Sequence, residues 1–265
     1  MNIPNPLIRQ DHVPPLWREA GVWLEAAALM RNPIFRGEDV ADGRGQPVLL
    51  VPGFLAGDDS LSLMTRWLRR TSHHTRRAGI RSNVGCSGAA LDRLEARLEH
   101  LVERQGQRVA IIGQSRGGTF AKVLAARRPE LVSGVVMLGT PQIDPLAVHP
   151  LVRAQLLLVG ALGTLGAPGF FRRACLQGDC CSEFWEQYAA PLPRGVGCVS
   201  VYSKRDGIVD WRSCLDPSAD HVEVRSSHVG MAVNAGVYRA IADSLEEFRR
   251  RDVRRRTPLR LADAA

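Results

Sequence analysis

Four apolar runs recur along the chain, at 48–51, 109–112, 132–138 and 198–202. Each is too short for a stable helix and none alternates strictly with polar residues. That is the pattern of strands covered on both faces. Between them the period changes. Leu91, Leu94, Leu98 and Leu101 recur at helical spacing within 91–102 and predict a helix with one buried stripe. A second helix is predicted over 119–128, stopped by Pro129, and a third from Asn234 to about Arg249. His221-Val222-Glu223-Val224-Arg225 alternates and reads as a further strand. Strands separated by helices predict an α/β chain with a mostly parallel central sheet flanked by helices. Residues 1–45 precede it as a leader with one helix over 15–31. Trp17, Val22, Leu24 and Leu29 of that helix are expected to pack on the domain.

Composition changes this picture little. The chain has 265 residues, 45% hydrophobic and 23% charged, ordinary values for a globular protein. That length suits one large domain or two small ones, and the run of strands and helices is read as one domain over 46–248. Charge adds a tail. The net charge is +8, and of the 35 basic residues only Lys122 and Lys204 are lysines. Segment 249–265 carries seven arginines against Asp252 and Asp263, so +5 of the total sits there. It reads as a disordered, solvated end. Without aromatic residues among the arginines it is not expected to bind nucleic acid, and peripheral membrane contact is its other plausible use. The opening residues lack a charged start and an apolar core, so the expected location is cytoplasmic.

The chemistry starts at Gly113-Gln114-Ser115-Arg116-Gly117. This G-x-S-x-G lies between a predicted strand and a predicted helix, the context in which the pattern exposes a nucleophilic serine on a sharp turn. A serine hydroxyl needs a base to attack a carbonyl near neutral pH. Of seven histidines, His228 is the one that follows a late strand after a short Ser226-Ser227 turn. The base needs a carboxylate to fix its tautomer. Asp206 and Asp210, in the loop after 198–202, are the candidates, with Asp206 favoured because it comes first and Gly207 relaxes its turn. Asp210 reads otherwise as a turn or capping carboxylate.

In these segments the chain resembles the α/β-hydrolase superfamily, on its serine esterase and lipase branch. The resemblance rests on Val51-Pro52-Gly53-Phe54, the GQSRG elbow, Leu138-Gly139-Thr140-Pro141 and the Asp206 and His228 loops, in that order. It implies acyl transfer through a covalent acyl-enzyme on Ser115, with small-molecule or lipid esters as substrates and no cofactor. It also implies an oxyanion hole from the backbone N–H of Arg116 and of Phe54, with Leu55 as the competitor for the second position. Two departures are visible. Pro52-Gly53 stands where many relatives have His-Gly, and Gln114 where many have histidine. An acyltransferase with the same triad and a non-catalytic binding module on the same fold are the alternative functions, and oligomeric state is unspecified.

In the family, the position of segment 142–195 often carries a cap or lid. Here it holds an uncharged run, 154–171, of 18 residues. Five glycines and prolines break it, and a span there would separate Ser115 from Asp206 and His228, so no transmembrane segment is expected. Leu157, Leu158, Phe170 and Phe171 are expected to make the lid apolar underneath and to line the substrate pocket. The six cysteines include no two Cys-x-x-Cys units, so no metal site is expected. Cys175, Cys180 and Cys181 lie close together in this insert, where an exported chain would allow a disulfide.

Overall fold

The computed structural model describes residues 13–177 and 180–256. The strands are β1 (Pro47–Val51), β2 (His74–Arg77), β3 (Val109–Gln114), β4 (Val132–Leu138), β5 (Gly197–Tyr202) and β6 (Asp220–Glu223). They pair in parallel throughout, in the order β2-β1-β3-β4-β5-β6. The four apolar runs are its four central strands. The two edge strands are half-exposed and correspondingly polar, so β2 carries no apolar run to betray it.

In chain order the helices are α1 (Val22–Arg31), α2 (Pro33–Arg36), α3 (Ser62–Arg70), α4 (Ser87–Gln105), α5 (Arg116–Arg127), α6 (Pro150–Thr164), α7 (Arg173–Gln177), α8 (Ser182–Ala189) and α9 (Ala235–Arg256). The period-2 alternation of strand side chains divides the core in two. Leu49, Val51, Ile111, Val135 and Met137 face α4, α5 and the α7–α8 region. Val48, Leu50, Ala110, Ile112, Val136 and Leu138 face α1, α2, α3 and α9. The sheet is thus sandwiched between helical layers, as the apolar runs require.

Several boundaries differ from expectation, among them α4, which runs Ser87–Gln105, and β6, which ends at Glu223. The predicted helix over 15–31 is a 3-10 turn, Leu16–Gly21, followed by α1. Only Leu29 of its expected packing residues is fully buried; Val22 is half-buried, and Trp17 and Leu24 face solvent. α5 begins at Arg116 rather than at Thr119, because two poor helix formers, Gly117 and Gly118, are needed for close packing. α9 runs on to Arg256 and takes the first half of the basic tail with it; 257–265 lie outside the described residues. Among the described residues no helix is long and apolar enough to cross a membrane.

Candidate active site

The sheet delivers its functional loops to one edge. In a parallel sheet every strand ends on the same side, so the segments after β1, β3, β5 and β6 meet there. Ser115 follows β3 directly with φ 51° and ψ −121°, a left-handed φ that is uncommon for a side-chain-bearing residue. Neighbouring contacts enforce it. The Ser115 N–H donates to Leu138 O at 2.8 Å, and Ser115 O accepts from Gly118 N and Thr140 Oγ1. A Cβ at Gly113 would lie 2.3 Å from Gly117 O, and one at Gly117 would lie 2.2 Å from Val51 O. The two glycines of the pentapeptide are therefore steric necessities of the turn.

Of the two carboxylates, Asp206 is the one that meets His228. Asp206 Oδ2 accepts from His228 Nδ1 at 2.7 Å, while its Oδ1 accepts from the N–H groups of Ile208 and Val209 at 2.8 and 2.7 Å. Both residues of the pair are buried. Asp210 faces elsewhere. Its Oδ1 caps the following 3-10 turn through Arg212 N and meets the Arg212 guanidinium. For His228, burial alone would lower the pKa. The charge and hydrogen bond of Asp206, with the charge of Glu19, outweigh it, so the imidazole ends above its ordinary value.

Two further contacts hold His228. Gln114 Nε2 donates to His228 O at 3.0 Å, which gives a task to the glutamine that stands beside the serine. Gly139, at φ 55°, lies directly under the ring, where an added Cβ would approach His228 Nδ1 to 3.0 Å. The Ser115 hydroxyl itself makes no hydrogen bond among the described residues. Catalytic contacts often close only when substrate is bound.

The loop after β1 approaches from the other side. A Cβ on Gly53 would sit 3.3 Å from Ser115 Cβ, a tight approach between this loop and the serine turn. Phe54 forms an isolated bridge with Asn83, whose buried side chain donates to Pro52 O at 2.8 Å. Arg116 opens α5, where the first N–H groups have no intrahelical acceptor. Its guanidinium donates to Asn83 O and Gly85 O, at 2.8 and 2.7 Å, and lies 5.2 Å from the ring centroids of Phe120 and Phe171.

Of the four insert residues expected at the pocket, Phe171 is the one that meets the loop after β1. Phe171 is buried, with its ring 6.3 Å from that of Phe54. Phe170 beside it reaches solvent. Leu157 and Leu158 do not turn inward as expected: they are 61% and 59% exposed, and Leu156 and Val159 pack on the core instead. On α6 the inward stripe is narrow, since Gly163 lies against Phe171 O with no room for a side chain.

Sequence reasoning missed two carboxylates. Glu19, in the N-terminal 3-10 turn, accepts from the N–H groups of Gly207 and His228, both at 2.9 Å, and from Val229 N at 2.8 Å. Glu25 of α1 accepts from Ser227 N at 2.9 Å, from the Ser226 and Ser227 hydroxyls, and from Asn234 Nδ2. A Cβ on Gly207 or Gly230 would collide with one or other of these carboxylates. The leader thus clamps the acid loop to the base loop. Two glutamates six residues apart near the start of a chain carry no signal of such a task.

No family model matches the sequence, and no curated protein matches it. Solved structures do resemble it in fold. The mature lipase of Bacillus licheniformis superimposes with a TM-score of 0.59 at 14% identity, over 78% of this chain and 94% of its own. A metagenome-derived lipolytic enzyme gives 0.57 at 14% identity, over 80% and 96%. A soluble variant of the Saccharomyces cerevisiae monoglyceride lipase gives 0.54 at 12% identity, over 82% and 89%. With its parallel sheet, strand order and flanking helices, this chain has the α/β-hydrolase fold.

Proposed function

We propose that the protein is a serine hydrolase that cleaves carboxylic esters with an apolar acyl or alcohol part through an acyl-enzyme on Ser115. One observation carries this: the buried Asp206–His228 pair lies at the sheet edge where Ser115 is held on its strained turn. In the reaction, Ser115 Oγ attacks the ester carbon while its proton passes to His228 Nε2, the ring nitrogen left free by Asp206. Asp206 fixes the tautomer and offsets the charge of the imidazolium. The N–H groups of Phe54 and Arg116 bind the oxyanion, in a position prepared before charge develops. Collapse expels the alcohol, which takes the proton from His228. Water then repeats the attack on the acyl-enzyme and releases the acid. Phe171 and Phe54 form the apolar wall for the acyl chain, and Phe170 stands at its rim. The fold shared with lipases and a monoglyceride lipase supports this substrate class.

A fluorophosphonate probe tests the reading. It is expected to label the wild-type chain at Ser115 and to leave Ser115→Ala unlabelled. An adduct on another serine would sink the assignment, and complete inertness of folded protein would favour a binding module. Dominant transfer of the acyl group to an added alcohol would move the reading to an acyltransferase.

A further inference from the structure

Away from the triad, four of the six cysteines converge. Cys86 stands just before α4, Cys175 lies in α7, and Cys180 and Cys181 lead into α8. Their four sulfurs all lie within 4.8 Å of one another. Cys180 Sγ is 3.0 Å from Cys175 Sγ and 3.6 Å from Cys181 Sγ, and Cys86 Sγ is 3.7 Å from Cys181 Sγ. Two disulfides would sort these atoms into separate pairs. Instead Cys180 and Cys181 each have two near sulfur neighbours, and none of the four lies beyond 4.8 Å from any other. Four sulfurs held ~2.3 Å from one zinc ion stand about 3.8 Å apart, close to two of the three separations.

Two helix termini and one cation stand beside the sulfurs. Cys86 and Cys181 occupy the N-terminal ends of α4 and α8, where helix dipoles favour negative charge. The Arg116 guanidinium is anchored on the same loop, donating to Gly85 O at 2.7 Å and to Ser87 Oγ at 3.1 Å. Burial lowers its pKa to about 10, against the pull of the Cys175, Cys86 and Cys181 sulfurs, so it stays cationic near neutral pH. A tetrathiolate zinc centre carries a net −2, and this is the cation placed to offset it.

We infer that Cys86, Cys175, Cys180 and Cys181 bind one zinc ion in a closed tetrahedral site that clips the insert to the start of α4. On binding, four S–H bonds give way to four Zn–S bonds and four protons leave. With no open position, the ion is structural rather than a Lewis acid for the ester reaction. The linkage spans 95 residues between Cys86 and Cys181, and neither residue pattern alone announces it. Spacing in sequence therefore pointed away from a metal that spacing in the fold supports.

Metal analysis of the full-length chain is the test, with about one zinc expected per chain. Cys180→Ala, at an exposed position, should remain folded by circular dichroism and lose the metal. Reduced, zinc-stripped wild type given Co2+ should develop intense thiolate-to-cobalt absorption with tetrahedral bands in the visible, and Cys180→Ala should not. Three results would overturn the inference: a reduced chain that takes up neither ion, stoichiometric iron in place of zinc, or an intact mass showing disulfides among these cysteines in metal-free protein. Because metal content and the cobalt spectrum are read without substrate, failure here leaves the ester-hydrolase reading untouched.

Discussion

Ser115 and Asp206 illustrate how much chemistry a single residue's backbone partners decide. Asp206 spends one oxygen on two N–H groups of its own loop and keeps the other for His228, so its position is set before the imidazole arrives. Asp206→Asn should lower kcat on the order of 10⁴, following the loss seen when a triad carboxylate is neutralised. Asp210→Asn should retain most activity, and the reverse ranking in two folded variants would exchange the roles. The raised pKa of His228 has a kinetic sign. Only neutral imidazole accepts the serine proton, so kcat/KM should climb with pH along a limb centred above the ordinary histidine value. A pH–rate profile with its acid limb below that value would contradict the electrostatics described here. At this scale the sequence was readable: the serine turn and the histidine loop are local patterns. Asp206 against Asp210 was a preference that only the folded geometry could convert into a contact.

Among the elements, the leader and the insert approach the Asp206, His228 and Phe54 loops from separate parts of the chain. Glu19 bridges the loops of Asp206 and His228 through backbone N–H groups, so it positions them without touching substrate. Glu19→Gln keeps the shape but removes the charge that helps to raise His228. The acid limb should move to lower pH while KM for a short ester stays near wild type; an unchanged limb would leave Glu19 a mere packing contact. Phe171 acts from the insert. Phe171→Ala removes apolar contact worth roughly 1.5–3 kcal/mol when fully buried, of which an acyl chain feels a part. Rates on p-nitrophenyl esters should fall more as the acyl chain lengthens and hardly at all for acetate. Equal loss on every ester would reduce Phe171 to core packing. These contacts were illegible in the sequence for a physical reason: Glu19 lies 188 and 209 residues from its partners, and helical or strand periodicity reports only neighbours. Leu157 and Leu158 show the opposite failure, since an apolar run says that a face is hydrophobic and not which way it turns.

For the molecule as a whole, the central strands were legible because burial on both faces writes itself as unbroken apolar residues. The edge strands were less so, because half-exposed strands need no such run. The two core layers meet the sheet with little slack. Phe248 of α9 lies against Gly134 of β4 and Gly197 of β5, where an added Cβ would come within 2.5 and 2.2 Å of its ring. Gly197→Ala should therefore lower the thermal midpoint by forcing α9 off the sheet, overpacking of this kind costing typically ~1–3 kcal/mol. An unchanged melting temperature would mean that α9 yields freely.

The clamp made by Glu19 and Glu25 also has a direction in time. Synthesis runs from the N-terminus, so both glutamates leave the ribosome long before the loops they hold, Glu19 preceding His228 by 209 residues. Until residues 226–229 have emerged, Glu25 has no partner there and Glu19 holds only Gly207, and the helix that follows, α9, is still being made. A nascent chain stalled after β5 would own the nucleophile, with its base not yet translated and the leader loose. The two loops would be locked together only once His228 has emerged, when a segment made early closes over one made much later.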